Sequence, residues 1–505
     1  MDKARLEKRF FEIIPGALVW ITIIGMVVLS FLQPLWIVYF VIVYDLYWLF
    51  RVIYYLPFVV VAWYSYRRDS KRNWLKDASA LPRFDKVYHL IMLPTVKEDL
   101  IVIRDCMDSL LKSTYPKDRM IVMLGGEERA KESFEEKSKA IVNEYGGKFA
   151  ALLTSVHPKD LPGEIPGKGS NMRWMEQAAL EKIKSMGIEI DDVIVSAFDI
   201  DTVAHPQYLA CVSYKFLTIP EPHRSSYQPV VLYNNNLWES PAVVRVCMFG
   251  TTFWLMTELA RSEGMMTFSS HSMTLRMLVD VDFHPYDMVN EDSRIFLKGL
   301  IKYHGHYRVT PIYLPVSMDT VMSGSYIKAL TALYLQMRRW AWGVENFPYM
   351  AQEFSRDKAM PFMVKIRFMF KQVEGMYTWA TVPLLIFLLG RLPFWFAPEP
   401  FRSYAIFQNT PFTLEWLMRF AMIGLFASAI LSAVLLPPRP EHVSKWQTPI
   451  VVFLQWLLLP VTFVIFGAFP AIDAQTRMML GVGRLGFNVS PKRVQESTKH
   501  VTRNM

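Results

Sequence analysis

Four short stretches of the sequence carry residue types able to do chemistry. Asp199-Ile200-Asp201 closes a β-branched run, and because side chains alternate along an extended backbone, both carboxylates fall on one side. Two hard oxygen ligands there suit Mg²⁺ or Mn²⁺ bridging a diphosphate. Gly167-Lys168-Gly169-Ser170-Asn171 precedes a helical segment, where glycines permit close backbone approach and Lys168 can reach a phosphate. Its spacing is not that of the GxxxxGK[ST] loop. Asn290-Glu291-Asp292 follows the turn-rich His284-Pro285-Tyr286 and supplies a carboxylate of the kind that takes a proton from a hydroxyl. In Gln336-Met337-Arg338-Arg339-Trp340, helical spacing places Gln336, Arg339 and Trp340 on one face. An amide, a guanidinium and an indole together can hydrogen-bond a sugar, neutralise a phosphate and stack on a pyranose.

Each stretch has a plainer reading when taken alone. An Asp-x-Asp often lies in a surface loop, a Gly-Lys-Gly in a flexible turn, and Asp292 near a helix N-cap. A Trp/Arg-rich helix is also a common membrane anchor. The chemistry therefore depends on elements that bring the four stretches together.

Those elements are legible between about residues 85 and 326, where apolar β-rich runs alternate with helical patterns and predict an open α/β sheet. Runs at 87–93, 120–124, 193–198 and 230–233 end respectively at Pro94-Thr95, Gly125-Gly126, Asp199 and Asn234-Asn235-Asn236. Ligands bind beyond the carboxyl ends of such strands.

The flanks read differently. Hydrophobic residues make up 52% of the 505 residues, and the apolar mass gathers near both ends. Residues 13–32 and 34–63 each supply the roughly 20 apolar residues needed to cross a hydrocarbon core of about 30 Å. Lys3, Arg5, Lys8 and Arg9 ahead of the first run resemble a signal-peptide start, but the run is long and a second follows at once, so a retained helix is expected. Asp45 and Arg51 interrupt the second run and face protein or an interface. Arg67, Arg68, Lys71 and Arg72 then form a basic collar that places the following domain in the cytosol.

Beyond the α/β region come amphipathic stretches over 327–375 and further apolar runs near 376–393, 414–436 and 449–470, five spans in all. A basic tail, 473–505, would then fall outside, against the charge rule, which makes the run holding Pro460 the suspect for a re-entrant or interfacial path. The organisation expected is thus 1–66 membrane helices, 67–326 catalytic domain, 327–375 interface helices, 376–472 membrane helices and the tail. A net charge of +9 without a basic, aromatic-interleaved stripe points to a membrane surface and an anionic nucleotide, and away from nucleic acid. Cys106, Cys211 and Cys247 are isolated, which predicts free thiols and no zinc site.

In order and spacing, DxD, then ED, then QxxRW resembles the membrane-bound synthases of glycosyltransferase family 2, such as cellulose, chitin and hyaluronan synthases and ceramide glucosyltransferase. The resemblance implies an α/β GT-A (Rossmann-like) cytosolic domain between transmembrane α-helices of a multi-pass cell-membrane protein. Carried over by position, it implies that Asp199 and Asp201 hold a divalent metal (Mg²⁺ or Mn²⁺) and the diphosphate, that Asp292, beside Glu291, is the base, and that Arg339 meets the pyrophosphate. Gln336 and Trp340 would line the acceptor; Lys168 and Asn171 resemble the family's Lys-x-x-Asn stretch at the donor, and Pro94, Thr95 and Glu98 its P-T-x-x-E strand end. Phe487, Val489, Ser490 and Lys492 resemble a cytosolic gating loop, FxV[T/S]xK.

Two departures stand out. Val96 replaces an aromatic, and Gly125-Gly126-Glu127-Glu128 replaces Asp-Asp, with Glu127 as the stand-in. His271, in Phe268-Ser269-Ser270-His271-Ser272, lies where synthases have an acceptor-side loop, with a structural histidine as the alternative. The implied reaction is inverting transfer from a nucleotide-diphosphate sugar, a UDP-sugar by preference, to a growing polysaccharide, among membrane lipids. Single transfer to a lipid acceptor is the alternative, and a non-catalytic scaffold or transporter the alternative of another class.

Overall fold

The computed structural model describes residues 3–437 and 447–482. Its centre is an eight-stranded mixed sheet: β1 (Tyr88–Pro94), β2 (Met120–Glu127), β3 (Ala151–His157), β4 (Val193–Ala197), β5 (Val203–Ala204), β6 (Ser225–Leu232), β7 (His271–Thr274) and β8 (Arg308–Ser317). The order is β3-β2-β1-β4-β7-β6-β8-β5. The first four in that order run parallel, and β7 then pairs antiparallel with both β4 and β6. β1, β2 and β4 are apolar runs because helices cover both faces, which leaves their interiors wholly buried.

The expected strands are present with shifted ends. β2 runs on through Gly125 and Gly126 to Glu127, where the sequence suggested a turn. Those glycines serve packing: a Cβ on Gly125 would lie 2.2 Å from Met175 Sδ, and one on Gly126 2.2 Å from the Phe134 ring. The 230–233 run is the tail of β6, which starts at Ser225. β3, β5, β7 and β8 went unseen in the pattern. β7 is four residues, mostly polar yet all buried, and β8 contains Pro311 and Pro315, so neither shows a strand's alternation.

The helices that position the site or flank it are α1 (Lys3–Leu32), α2 (Pro34–Asp69), α3 (Lys168–Ser185), α4 (Ala242–Leu259), α5 (Glu291–Lys302), α6 (Tyr326–Ala341), α7 (Phe362–Phe387), α8 (Ala405–Val434) and α9 (Phe469–Leu480). Among the described residues, five helical stretches are long and apolar enough to cross a membrane: Arg5–Leu32, Pro34–Asp69, Ala242–Leu259, Ala405–Leu431 and Ile450–Leu480. A sixth is possible where α7 and the segment Leu389–Phe396 meet at a 42° bend.

This set differs from the expected one in two places. The run at 376–393 is split by that bend, and its first part continues without a break from the amphipathic stretch before it. α4 was not foreseen; it follows β6 and packs half-buried against the sheet, with Thr252 donating to the Val231 carbonyl. Around Pro460 the helix leaves α geometry, with a 3₁₀ turn at Trp456–Leu458 and a π segment at Phe463–Ala468. Large apolar side chains stand exposed along α1, α2 and α8, including Ile21, Trp36, Phe50 and Ile430, a surface that water disfavours.

Helices and sheet domain are joined by specific contacts. Val19 of α1, Met376 and Ala380 of α7, and Ala471 and Ala474 of α9 share one cluster with Val289 and Trp342. Arg338 of α6 pairs with Asp473 of α9 at 2.9 Å.

Candidate active site

Lys168 is the first residue of α3, so its ammonium starts from the amino end of an 18-residue helix and reaches Asp199 just beyond the carboxyl end of β4. It meets three acids from two other parts of the chain: Asp199 Oδ1 at 2.8 Å, Asp292 Oδ1 at 2.9 Å and Glu291 Oε1 at 3.6 Å. Burial opposes its charge, but Asp199, Asp292 and Glu291 together outweigh burial and hold Lys168 well above its ordinary value. It is a fixed cation.

Glu291 and Asp292 open α5, where the free N–H groups of a first turn favour acidic side chains. Asn290 is the capping residue, but its side chain makes no cap bond; its Nδ2 donates instead to the Arg339 carbonyl at 3.2 Å. Asp292 therefore is not the cap, and its side chain turns to Lys168. The two carboxylates differ in access: Asp292 keeps 21% of its side-chain surface and Glu291 only 5%. Burial, reinforced by Asp292, pushes Glu291 above the ordinary carboxylate range. Of the two acids, Asp292 is the more accessible.

Asp199 and Asp201 are held by different neighbours. Asp199 Oδ2 accepts from Ser269 Oγ at 2.6 Å, while Asp201 Oδ2 accepts the Asp319 N–H at 2.8 Å. Asn235 Nδ2 spans Asp201 O at 2.9 Å and Asp319 Oδ1 at 3.1 Å, clamping the loop after β6 to the loop after β8. Ser270, wholly buried, has a left-handed backbone (φ 62°), and its hydroxyl lies 2.8 Å from Thr202 Oγ1. A non-glycine residue in that region carries strain, retained here beside the carboxylate pair.

On the other side, α6 brings Trp340 against Tyr233, with ring centroids 5.9 Å apart. The Tyr233 hydroxyl is pushed up first by burial and then by Asp199 and Asp201, with Arg339 opposing. Arg339 also acts on Glu291. Gln336 is buried and its Oε1 has no hydrogen-bond partner among the described residues.

The remaining expected residues form a flank. Thr95 N–H donates to the Gly125 carbonyl at 2.8 Å, and Glu98 Oε2 accepts from Thr95 Oγ1 and Val96 N–H, both at 2.8 Å, so Pro94 leads into a turn tied to its own glutamate. Asn171 Nδ2 donates to Gly125 O at 3.1 Å. Glu127 is farther along, in a cleft of about 220 Å³ shared with Arg129, His157, Lys159 and Glu164. Arg129 pairs with its Oε2, its Oε1 is buried without a partner among the described residues, and burial raises it above the usual carboxylate range.

His271 lies wholly inside the sheet on β7, its Nδ1 donating to Phe268 O at 2.8 Å, and burial lowers its protonation to about 4. Its Nδ1 is 3.8 Å from Asp292 Oδ1, which puts the neutral ring behind that carboxylate and out of reach of solvent. Phe487, Val489, Ser490 and Lys492 lie outside the described residues.

Sequence reasoning missed Tyr233, Ser269, Ser270, Asn235 and Asp319 as members of this cluster. The asparagine run after β6 was a visible signal, since a run of three amides at a carboxyl strand end is suited to tying loops. Met318-Asp319-Thr320 carried none.

No group of three or more His, Cys, Asp or Glu side chains among the described residues converges as a cation cage. Asp199 and Asp201 still fit Mg²⁺ or Mn²⁺, which is commonly held by one or two carboxylates with substrate phosphates completing the shell.

Compared with known proteins, the chain matches no family model and no curated protein sequence. Among solved structures it is similar to the mannosyltransferase PcManGT from Pyrobaculum calidifontis in complex with GDP-Man and Mn²⁺, at 13% identity and TM-score 0.40, covering 81% of this chain and 99% of that one. It is also similar to S. aureus TarS 1–349 in complex with UDP, at 12% identity and TM-score 0.35, covering 69% and 91%. What the cluster can do is set by its own geometry.

Proposed function

We propose that the chain is a membrane glycosyltransferase that moves a sugar from a nucleotide-diphosphate sugar to a hydroxyl of a growing polysaccharide, with inversion. The observation that carries this reading is Lys168 bound at once by Asp199, Glu291 and Asp292, with α6 tied to the same segment through Asn290 and the Arg339 carbonyl and presenting Trp340 against Tyr233. A fixed cation, an accessible carboxylate and an aromatic platform together are what transfer from a diphosphate to a sugar hydroxyl requires.

In this reading the acceptor hydroxyl attacks the anomeric carbon, Asp292 takes its proton, and the bond to the departing nucleoside diphosphate breaks opposite the attack. Lys168 and Arg339 neutralise the leaving group. A divalent cation at Asp199 and Asp201 would add its charge to theirs. Asp199 and Asp292 hold the Lys168 ammonium between them. A diphosphate competes for that ammonium and so uncovers the base. Thr95, Glu98, Asn171 and Glu127 supply the nucleoside end, and α1, α2, α8 and the Ile450–Leu480 stretch the membrane part, with the sheet domain and the α4 that packs on it in the cytosol.

A second reading, transfer of one sugar to a lipid, has its own observation: Val244 and Met248 of the apolar helix α4 share a cluster with Tyr233 and Trp340. In this reading the apolar surface of α4 would guide a lipid acceptor towards Trp340.

The test is turnover in lipid nanodiscs with Mn²⁺ and a panel of UDP- and GDP-sugars, following nucleotide release and product size. A size ladder supports the polymerising reading and one discrete lipid product the second. No release from any donor, with lipid acceptors supplied, sinks both.

A further inference from the structure

Behind the carboxylates, α3 and the segment 282–292 are fastened at successive points. Arg173 donates to Asp282 Oδ2 at 2.9 Å and Ile165 N–H to the Tyr286 carbonyl at 2.8 Å. Gly169 lies so close that a Cβ would stand 2.4 Å from Pro285 O and 3.1 Å from Glu291 Cβ.

Among these ties is a pair the proposed chemistry does not use. Glu176, on α3 two turns past Lys168, is completely buried, and His284 is 1% exposed. Glu176 Oε2 accepts the His284 backbone N–H at 3.0 Å, and Oε1 meets the ring Nδ1 at 2.5 Å. The other ring nitrogen, Nε2, is buried with no hydrogen-bond partner among the described residues, and Glu176 holds this residue by backbone and ring together. A carboxylate buried to this degree is costly even when paired, and an apolar residue would fill the helix face more cheaply. What the apolar residue could not do is fix where 282–292 sits along α3.

We propose that Glu176 and His284 are positioning residues for the transfer: their bond sets the register of 282–292 against α3, and so the meeting of Asp292 with Lys168. The inference rests on the transfer reading for its kinetic arm, while its structural arm stands apart from it. No hydrogen bond or ion pair joins either side chain to Lys168 or Asp292 among the described residues, so their effect on the reaction passes through the segment between.

The experiment uses the full chain in nanodiscs with Mn²⁺ and the same UDP- and GDP-sugar panel, together with hydrogen–deuterium exchange. Glu176→Leu and His284→Ala should lower kcat by about tenfold to a hundredfold, the scale of an ångström-sized misplacement, with donor KM unchanged. Exchange should rise over 282–292 while β1 and β4 keep wild-type protection. His284→Asn, whose Nδ2 can stand in for the ring Nδ1, should restore both readouts. Wild-type kcat and unaltered exchange in Glu176→Leu would overturn the proposal, as would an equal loss in His284→Asn and His284→Ala. If the wild-type chain turns over no donor, the transfer reading fails by itself, and exchange over 282–292 alone decides the register role.

Discussion

Asp292 and Glu291 are neighbours with opposite exposures, and the difference makes separable predictions. Asp292→Asn should remove general-base help worth about 10² to 10⁴ in rate while binding of UDP or GDP with Mn²⁺ survives, read by nucleotide release beside calorimetric titration. Asp201→Ala should weaken nucleotide binding as well. Glu291 has a raised protonation range in the folded chain, so its ionised form costs stability. That cost is absent below the ordinary value of 4.5, grows as pH rises towards the folded value and is complete above it. Glu291→Gln should therefore melt closer to wild type at pH 5 and increasingly above it at pH 8. A constant gap between the two melting curves would count against this assignment. The motifs that hold these residues were readable because DxD, ED and QxxRW are local strings. Tyr233 was not, since its contact with Trp340 comes from folding.

At the scale of elements, the carboxyl strand ends were legible from apolar runs stopping at Pro94, Asp199 and the asparagines, while β7 was invisible as four buried residues with three hydroxyl or imidazole side chains. β7 is nevertheless what brings Ser269 and Ser270 beside Asp199, through its antiparallel register on β4. The approach of α3 to 282–292 is equally tight. Gly169→Ala would force its new methyl against Pro285 O and should destabilise the chain by about 1–3 kcal/mol, with lost turnover at temperatures where it stays folded. Thermal unfolding in nanodiscs measures it, and a melting temperature equal to wild type would mean that this junction yields.

For the whole molecule, the basic collar predicts the side of the membrane on which the sheet domain lies. A cysteine placed at Lys71, in a chain whose Cys106, Cys211 and Cys247 are changed to serine or alanine, should react with a membrane-impermeant maleimide in inside-out vesicles and stay unlabelled in right-side-out ones. The reverse pattern would put the domain outside, away from cytosolic nucleotides. Helix number was only partly legible. α4 has the length of a span yet half of it is covered by the protein, because its position after β6 lays it on the sheet, and hydropathy cannot distinguish burial in protein from burial in lipid.

By itself the sequence determined the alternation of strands and helices, the apolar flanks and the four reactive strings, because each rests on periodicity or residue type within a short window. Only the tertiary structure decided that Lys168 lies among Asp199, Glu291 and Asp292, that Asp292 and not Glu291 is accessible, and that His271 stands behind the carboxylate. Those facts depend on which strands pair and which helix ends face them, and no local window contains that information.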